Sequence, residues 1–100
     1  MHNPSLNNRY PLYWRNPQVS TTRDEEGFVA TIDQPGQACV VRLNTTGEAI
    51  WTLLDKPMGI HDLLVKLQAM YAVDPIQCRI KLLEFLDQAT AQRIILQTSN

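Results

Sequence analysis

One hundred residues with 44% apolar and 19% charged side chains make one globular domain of ordinary composition. A net charge of −1 excludes a protein that coats nucleic acid, which would carry a basic surplus. No apolar run approaches the roughly 20 residues that span a bilayer, and the N-terminus lacks the charged-then-apolar layout of a secretory signal; the chain reads as cytoplasmic, with no membrane partner.

Residues 1–18 are polar and broken by Pro4, Pro11 and Pro17, and they read as an irregular arm ahead of a domain at 19–97. Tyr10, Leu12, Tyr13 and Trp14 are too apolar for a free tail, so this part of the arm is expected to cover core. Val19 to Arg23 is β-branched and predicts a strand. Asp24-Glu25-Glu26-Gly27 is turn chemistry, and the alternation of Phe28 to Asp33 predicts a second strand. Gln34-Pro35-Gly36-Gln37 fits a type II turn, because Pro35 presets φ and Gly36 accepts a positive one. Ala38 to Leu43 is the third strand of an antiparallel meander, with Cys39, Val41 and Leu43 on one face and Val40 and Arg42 on the other.

Thr45-x-x-Glu48 reads as a capping box opening a helix whose buried stripe is Ala49, Ile50, Leu53 and Leu54, stopped by Pro57. Gly59 is placed to cap a second helix, with Leu63, Leu64, Leu67 and Met70 along one face. Asp74, Pro75 and Gln77 mark the start of a third helix that runs to about Ala91. Arg93 to Gln97 follows as a short strand or a packed tail. The order β-β-β-α-α-α-(β) is an α+β, winged helix-turn-helix-like domain: a three-stranded antiparallel sheet packed on three helices.

The chemistry-bearing residues form no catalytic or metal constellation, which points away from an enzyme and from any cofactor. Cys39 and Cys78 match no zinc or redox spacing and read as small buried hydrophobes in a reducing compartment. His2 and His61 lack partners at ligand spacing. Asn44-Thr45-Thr46 fits a glycosylation sequon that has no meaning in a cytoplasmic chain.

Two features invite a binding role. Stepped at about 100° per residue, the third helix has one apolar stripe of Cys78, Leu82, Phe85, Leu86 and Ala89. Ile76, Ile80 and Leu83 make a second stripe nearly opposite, to be covered by the sheet or by a ligand. The third strand is an edge of the meander, guarded only by Arg42. Its free backbone groups suit strand addition by an extended peptide, unless the arm or a dimer mate covers them.

Val41-Arg42-Leu43-Asn44, Thr46-Gly47-x-Ala49-Ile50-Trp51-x-Leu53-Leu54-Asp55, Leu63-Leu64 with Leu67 and Tyr71, and Phe85-Leu86 before Ile94-Ile95 together resemble the PqqD-like family. These domains are the peptide-recognition elements of pathways that make ribosomal, post-translationally modified peptides. The resemblance implies a non-catalytic chaperone that takes the leader segment of a precursor peptide as an added strand and presents the precursor to a modifying enzyme. It places Cys39, Val40, Val41, Arg42 and Leu43 on the receiving strand and Ile76, Arg79, Ile80 and Leu83 along the adjoining helix. Arg42, Arg79 and Lys81 would then favour acidic leader residues. The chain departs from the family pattern at Lys81, where an acidic residue is common, at Ala89, where Leu is frequent, and at Arg93, where Gly is found. The alternative is a winged-helix DNA-binding protein reading through Gln77, Arg79 and Lys81; Glu84 and Asp87 on the same helix oppose it.

Overall fold

The computed structural model describes residues 11–34, 37–71 and 74–98. In chain order these form β1 (Tyr13–Arg15), β2 (Val19–Asp24), β3 (Gly27–Gln34), β4 (Gln37–Leu43), α1 (Thr45–Leu53), α2 (Ile60–Met70), α3 (Pro75–Ala91) and β5 (Ile95–Gln97). Strands β2, β3 and β4 make the expected three-stranded antiparallel sheet, with β3 central. Gly27, which closes the β2–β3 turn, has φ +130°, a conformation that only glycine adopts without strain. The centre of the expected type II turn, Pro35-Gly36, lies outside the described residues.

Part of the arm is not irregular. Tyr13 to Arg15 pair antiparallel with Ile95 to Gln97, and Tyr13 also exchanges backbone hydrogen bonds with Met58 at 2.8 and 2.9 Å. Arg15 donates to the Trp51 and Thr52 carbonyls at the end of α1 and stacks 5.3 Å from the Trp51 ring centroid. It thereby adds to the Leu54 N–H at the Trp51 carbonyl and supplies a donor to the Thr52 carbonyl in the last turn of the helix. Asn16 is buried with both polar atoms of its side chain hydrogen-bonded: its amide donates to the Arg93 carbonyl at 2.7 Å and its oxygen accepts from the Gln18 N–H at 2.9 Å. Tyr13 is itself core, and burial, with the charge of Asp87 adding to it, raises its phenol above the ordinary range. The terminal segment is thus a strand.

Helix starts follow local chemistry, with one correction. Asn44, not Thr45, caps α1: its side chain accepts from the Gly47 N–H at 2.8 Å, and Thr45 is already helical. Asp74 caps α3 as expected, accepting from the Gln77 N–H at 3.0 Å with Pro75 in the first turn. Gly59 caps α2. On α2, Leu63 and Leu67 are buried and Leu64 half-buried, but Met70, the last residue of the helix, is exposed. Ala30, Ile32 and Leu43 of the sheet share one core with Ile50 and Leu54, Leu63 and Leu67, Leu82 and Leu86, and Ile94 and Ile95. Each buried Leu or Ile contributes about 1.5–3 kcal/mol, so Leu82 and Leu86 fix the rotation of α3 about its axis.

Helix α3 ends on a Schellman motif. The Ile94 N–H donates to the Ala89 carbonyl and the Arg93 N–H to the Thr90 carbonyl, both at 3.1 Å. The motif needs a left-handed residue after the cap, and Arg93 supplies it with φ 64°. This is the position at which the resemblance leads one to expect glycine.

Candidate functional site

The outer edge of β4 carries no partner strand among the described residues. The register shows which of its backbone groups are free. Gln34 and Gln37 are partners separated by two residues, so they close the hairpin as a hydrogen-bonded pair. Alternation then makes 39, 41 and 43 bond to β3, while Ala38, Val40 and Arg42 point their N–H and C=O groups outward. The β2–β3 register, closed by Asp24 and Gly27, requires the same phase, since it assigns 27, 29 and 31 of β3 to β2 and leaves 28, 30 and 32 for β4. The edge therefore offers a ladder centred on Val40 and Arg42.

Side chains on β4 divide as the alternation indicates. Cys39 and Val41 are half-buried against the core and Leu43 is buried; Val40 is 65% exposed and Arg42 exposed. Arg42 reaches across β3, its guanidinium bonding both carboxylate oxygens of Asp24 at 2.9 Å, with Glu26 at 3.6 Å. This hydrogen bonding holds Asp24 well below the usual carboxylate range. The Arg42 side chain is therefore engaged within its own sheet, and the expectation that it attracts acidic peptide residues is not supported; its backbone N–H is what the edge presents.

Between β4 and α3 lies a cleft of about 140 Å³, lined by Val41, Leu43, Phe85, Gln88, Ala89 and Gln92 among others. Its α3 wall is not the one expected. Ile76, Ile80 and Leu83 are 68%, 43% and 38% exposed, so the sheet does not cover them. Stepped around α3 at about 100° per residue, they stand nearly opposite the Phe85, Gln88 and Gln92 line, and Arg79 lies on their side. Leu83 instead borders a separate cleft with Tyr13, Asp87, Thr90 and Gln97. Of the nine candidate residues, the five on β4 stand together, while Ile76, Arg79, Ile80 and Leu83 face away from them.

The structure adds Phe85, Gln88 and Gln92. The two glutamines are polar and leave no mark on an apolar stripe, and Phe85 falls by position on the core stripe of α3. A further signal was present in Gly47. A Cβ there would lie 2.8 Å from the Phe85 ring, so the glycine lets α1 and α3 approach and sets where the ring stands beside the cleft. Ala89, with its short side chain, leaves the floor of the cleft open.

No group of three or more His, Cys, Asp or Glu is gathered among the described residues. No helix among them is long and apolar enough to cross a membrane. Both cysteines are free.

The family model for Coenzyme PQQ synthesis protein D (PqqD) matches residues 32–95. No curated protein matches the chain. Among solved structures, TbiB1 in complex with the TbiA(beta) leader peptide superposes with a TM-score of 0.68 at 20% identity, covering 87% of this chain and 99% of that one. Lasso peptide synthetase B1 complexed with the leader peptide gives 0.68 at 18% identity over 84% and 96% of the two chains. The PqqD truncation of Methylobacterium extorquens PqqCD, a functional and stand-alone recognition element for ribosomally synthesized and post-translationally modified peptides, gives 0.66 at 18% over 85% and 88%. At these identities the likeness is one of fold.

Proposed function

The chain belongs to the PqqD family, and on that premise we propose that it is a non-catalytic domain that binds the leader segment of a ribosomally made precursor peptide and holds the precursor for a modifying enzyme. The observation that carries the reading is the β4 edge, unpaired among the described residues, with outward-facing backbone at Val40 and Arg42 beside a cleft whose walls include Val41, Leu43 and Phe85. Strand addition draws affinity from main-chain hydrogen bonds and selectivity from the pockets that alternate side chains enter. Here the guest pairs with Ala38, Val40 and Arg42, and one of its side chains enters the cleft between Val41, Leu43 and Phe85. Cys39 and Val41 support that wall. The solved complexes of TbiB1 and of lasso peptide synthetase B1, both with leader peptides, supply the analogy for the guest. In this reading Ile76, Arg79, Ile80 and Leu83 lie on the outer flank of α3, clear of the peptide.

The test begins with selection from a displayed library of random peptides about 15 residues long, enough for one strand with flanks. The best peptide is then synthesised and titrated calorimetrically into the chain. Saturable binding of one peptide per chain, weakened by Val40→Pro, supports the reading. Failure to select any peptide, or binding indifferent to that substitution, contradicts it. A gel-shift series with duplex DNA at rising salt serves as the counter-screen; salt-sensitive retardation would favour a nucleic-acid role instead.

A further inference from the structure

The cleft at β4 does not end at Asn44. A second cleft of about 310 Å³ shares Asn44, Phe85 and Gln88 with it and runs along α3 past Gly47 to Lys81. A third, of about 340 Å³, shares Thr46 and Lys81 with the second and opens where α1, α2 and α3 meet. The three follow one another along the Gln92-Gln88-Phe85-Lys81 flank of α3, each sharing lining residues with the next, and together they outline a trough. The far end differs in character from the middle. Its floor is Leu67, Cys78 and the half-buried Tyr71, and its rim is Asp74, Gln77 and Lys81. A pocket with an apolar floor and a polar rim, continuous with a strand-receiving edge, fits one large apolar side chain of an extended peptide.

We propose that the Leu67–Tyr71–Cys78 pocket is a second anchor site for the same guest peptide, taking a leucine-sized or aromatic side chain that lies outside the strand-paired segment. This rests on the peptide-binding reading of the β4 edge. The geometry sets the spacing and the direction. From Gln88 to Cys78 is ten residues of α3, about 15 Å at 1.5 Å each. An extended chain covers that in about five residues at ~3.3 Å each. Antiparallel pairing is the more stable per residue. A guest running antiparallel to β4 has its N-terminal part beside Leu43 and therefore enters the trough with residues that precede its strand segment. The ligand class is an extended peptide with two apolar anchors about five residues apart, the N-terminal one seated between the helices.

The selected peptide and the full chain supply the test. Gln77 is exposed on α3, so Gln77→Trp closes the pocket without cutting into the core. The expected results are enrichment of an apolar residue about five positions before the strand segment, and affinity lowered about tenfold by Gln77→Trp. In the wild-type chain, the amide resonances of Tyr71, Gln77, Cys78 and Lys81 should move with those of 38–43 on peptide addition, a measurement independent of any variant's folding. Shifts confined to residues 38–44 and Phe85, with affinity unchanged by Gln77→Trp but still reduced by Val40→Pro, would overturn the second anchor while leaving strand addition standing. Indifference to Val40→Pro would remove the reading beneath it.

Discussion

Replacing Val40 and Val41 separately by proline tests the phase of the β4 ladder. The Val40 N–H points outward and has no strand partner among the described residues, so Val40→Pro removes nothing from the sheet itself; proline is tolerated on an edge whose N–H faces solvent. The guest peptide loses one backbone hydrogen bond worth about 0.5–1.5 kcal/mol, and the ring obstructs its approach. At about 1.4 kcal/mol per decade, affinity should fall roughly tenfold. The Val41 N–H bonds to Ala30, which is fully buried on β3. Val41→Pro orphans that carbonyl at a cost of about 1–3 kcal/mol, and in a domain of this size each kcal/mol lowers Tm by about 4–8 °C. Thermal melts by circular dichroism and calorimetric titration with the selected peptide separate the two effects. Val40→Pro should bind weakly and melt near the wild-type temperature, whereas Val41→Pro should melt several degrees lower. If Val40→Pro is instead the variant that melts low, the phase assignment is wrong and so is the ladder built on it.

Three further perturbations follow from the structure. Arg93 holds φ 64° in the Schellman turn, and a left-handed non-glycine residue costs about 1–2 kcal/mol, so Arg93→Gly should raise the urea midpoint by an amount equivalent to about 0.5–1 kcal/mol after glycine's own entropy cost. Gly47→Ala places a Cβ 2.8 Å from Phe85 and should push the ring toward the cleft, lowering peptide affinity more than thermal stability. Asp24 has its carboxyl lowered by Arg42, so its contribution is present above the ordinary carboxylate range and fades as pH falls below about 4 toward the folded value. The Tm gap between wild type and Asp24→Asn should therefore be open at neutral pH and narrow in acid; a gap that widens in acid would contradict the pairing.

Short-range chemistry carried most of the fold. Asp74, Pro75 and Gln77 announced the start of α3, and β-branched alternation located β2, β3 and β4 within a residue or two of their observed bounds. What escaped depends on long-range contact. Tyr13 to Arg15 is three residues and has no period of its own; it becomes a strand only because Ile95 to Gln97 lies beside it. In the sequence Thr45 reads as the α1 cap, but Asn44, one position earlier, is also of a capping type, and its side-chain bond to Gly47 makes it the cap. Periodicity identified two stripes on α3 but not which flank borders β4, since that depends on how the helix packs. The strand residues expected at the site do stand beside the cleft, whereas on α3 it is Phe85, Gln88 and Gln92 that border it and the expected helix residues lie on another flank.

Amide hydrogen exchange at Val40, Val41 and Arg42, measured with and without the selected peptide, bears most directly on the central claim. Val40 and Arg42 should exchange rapidly in the free chain and slow markedly in the complex, while Val41, bonded to β3, stays protected in both. Val40 and Arg42 already protected without peptide, or unprotected with it, would mean that the β4 edge is not the place where a guest strand pairs.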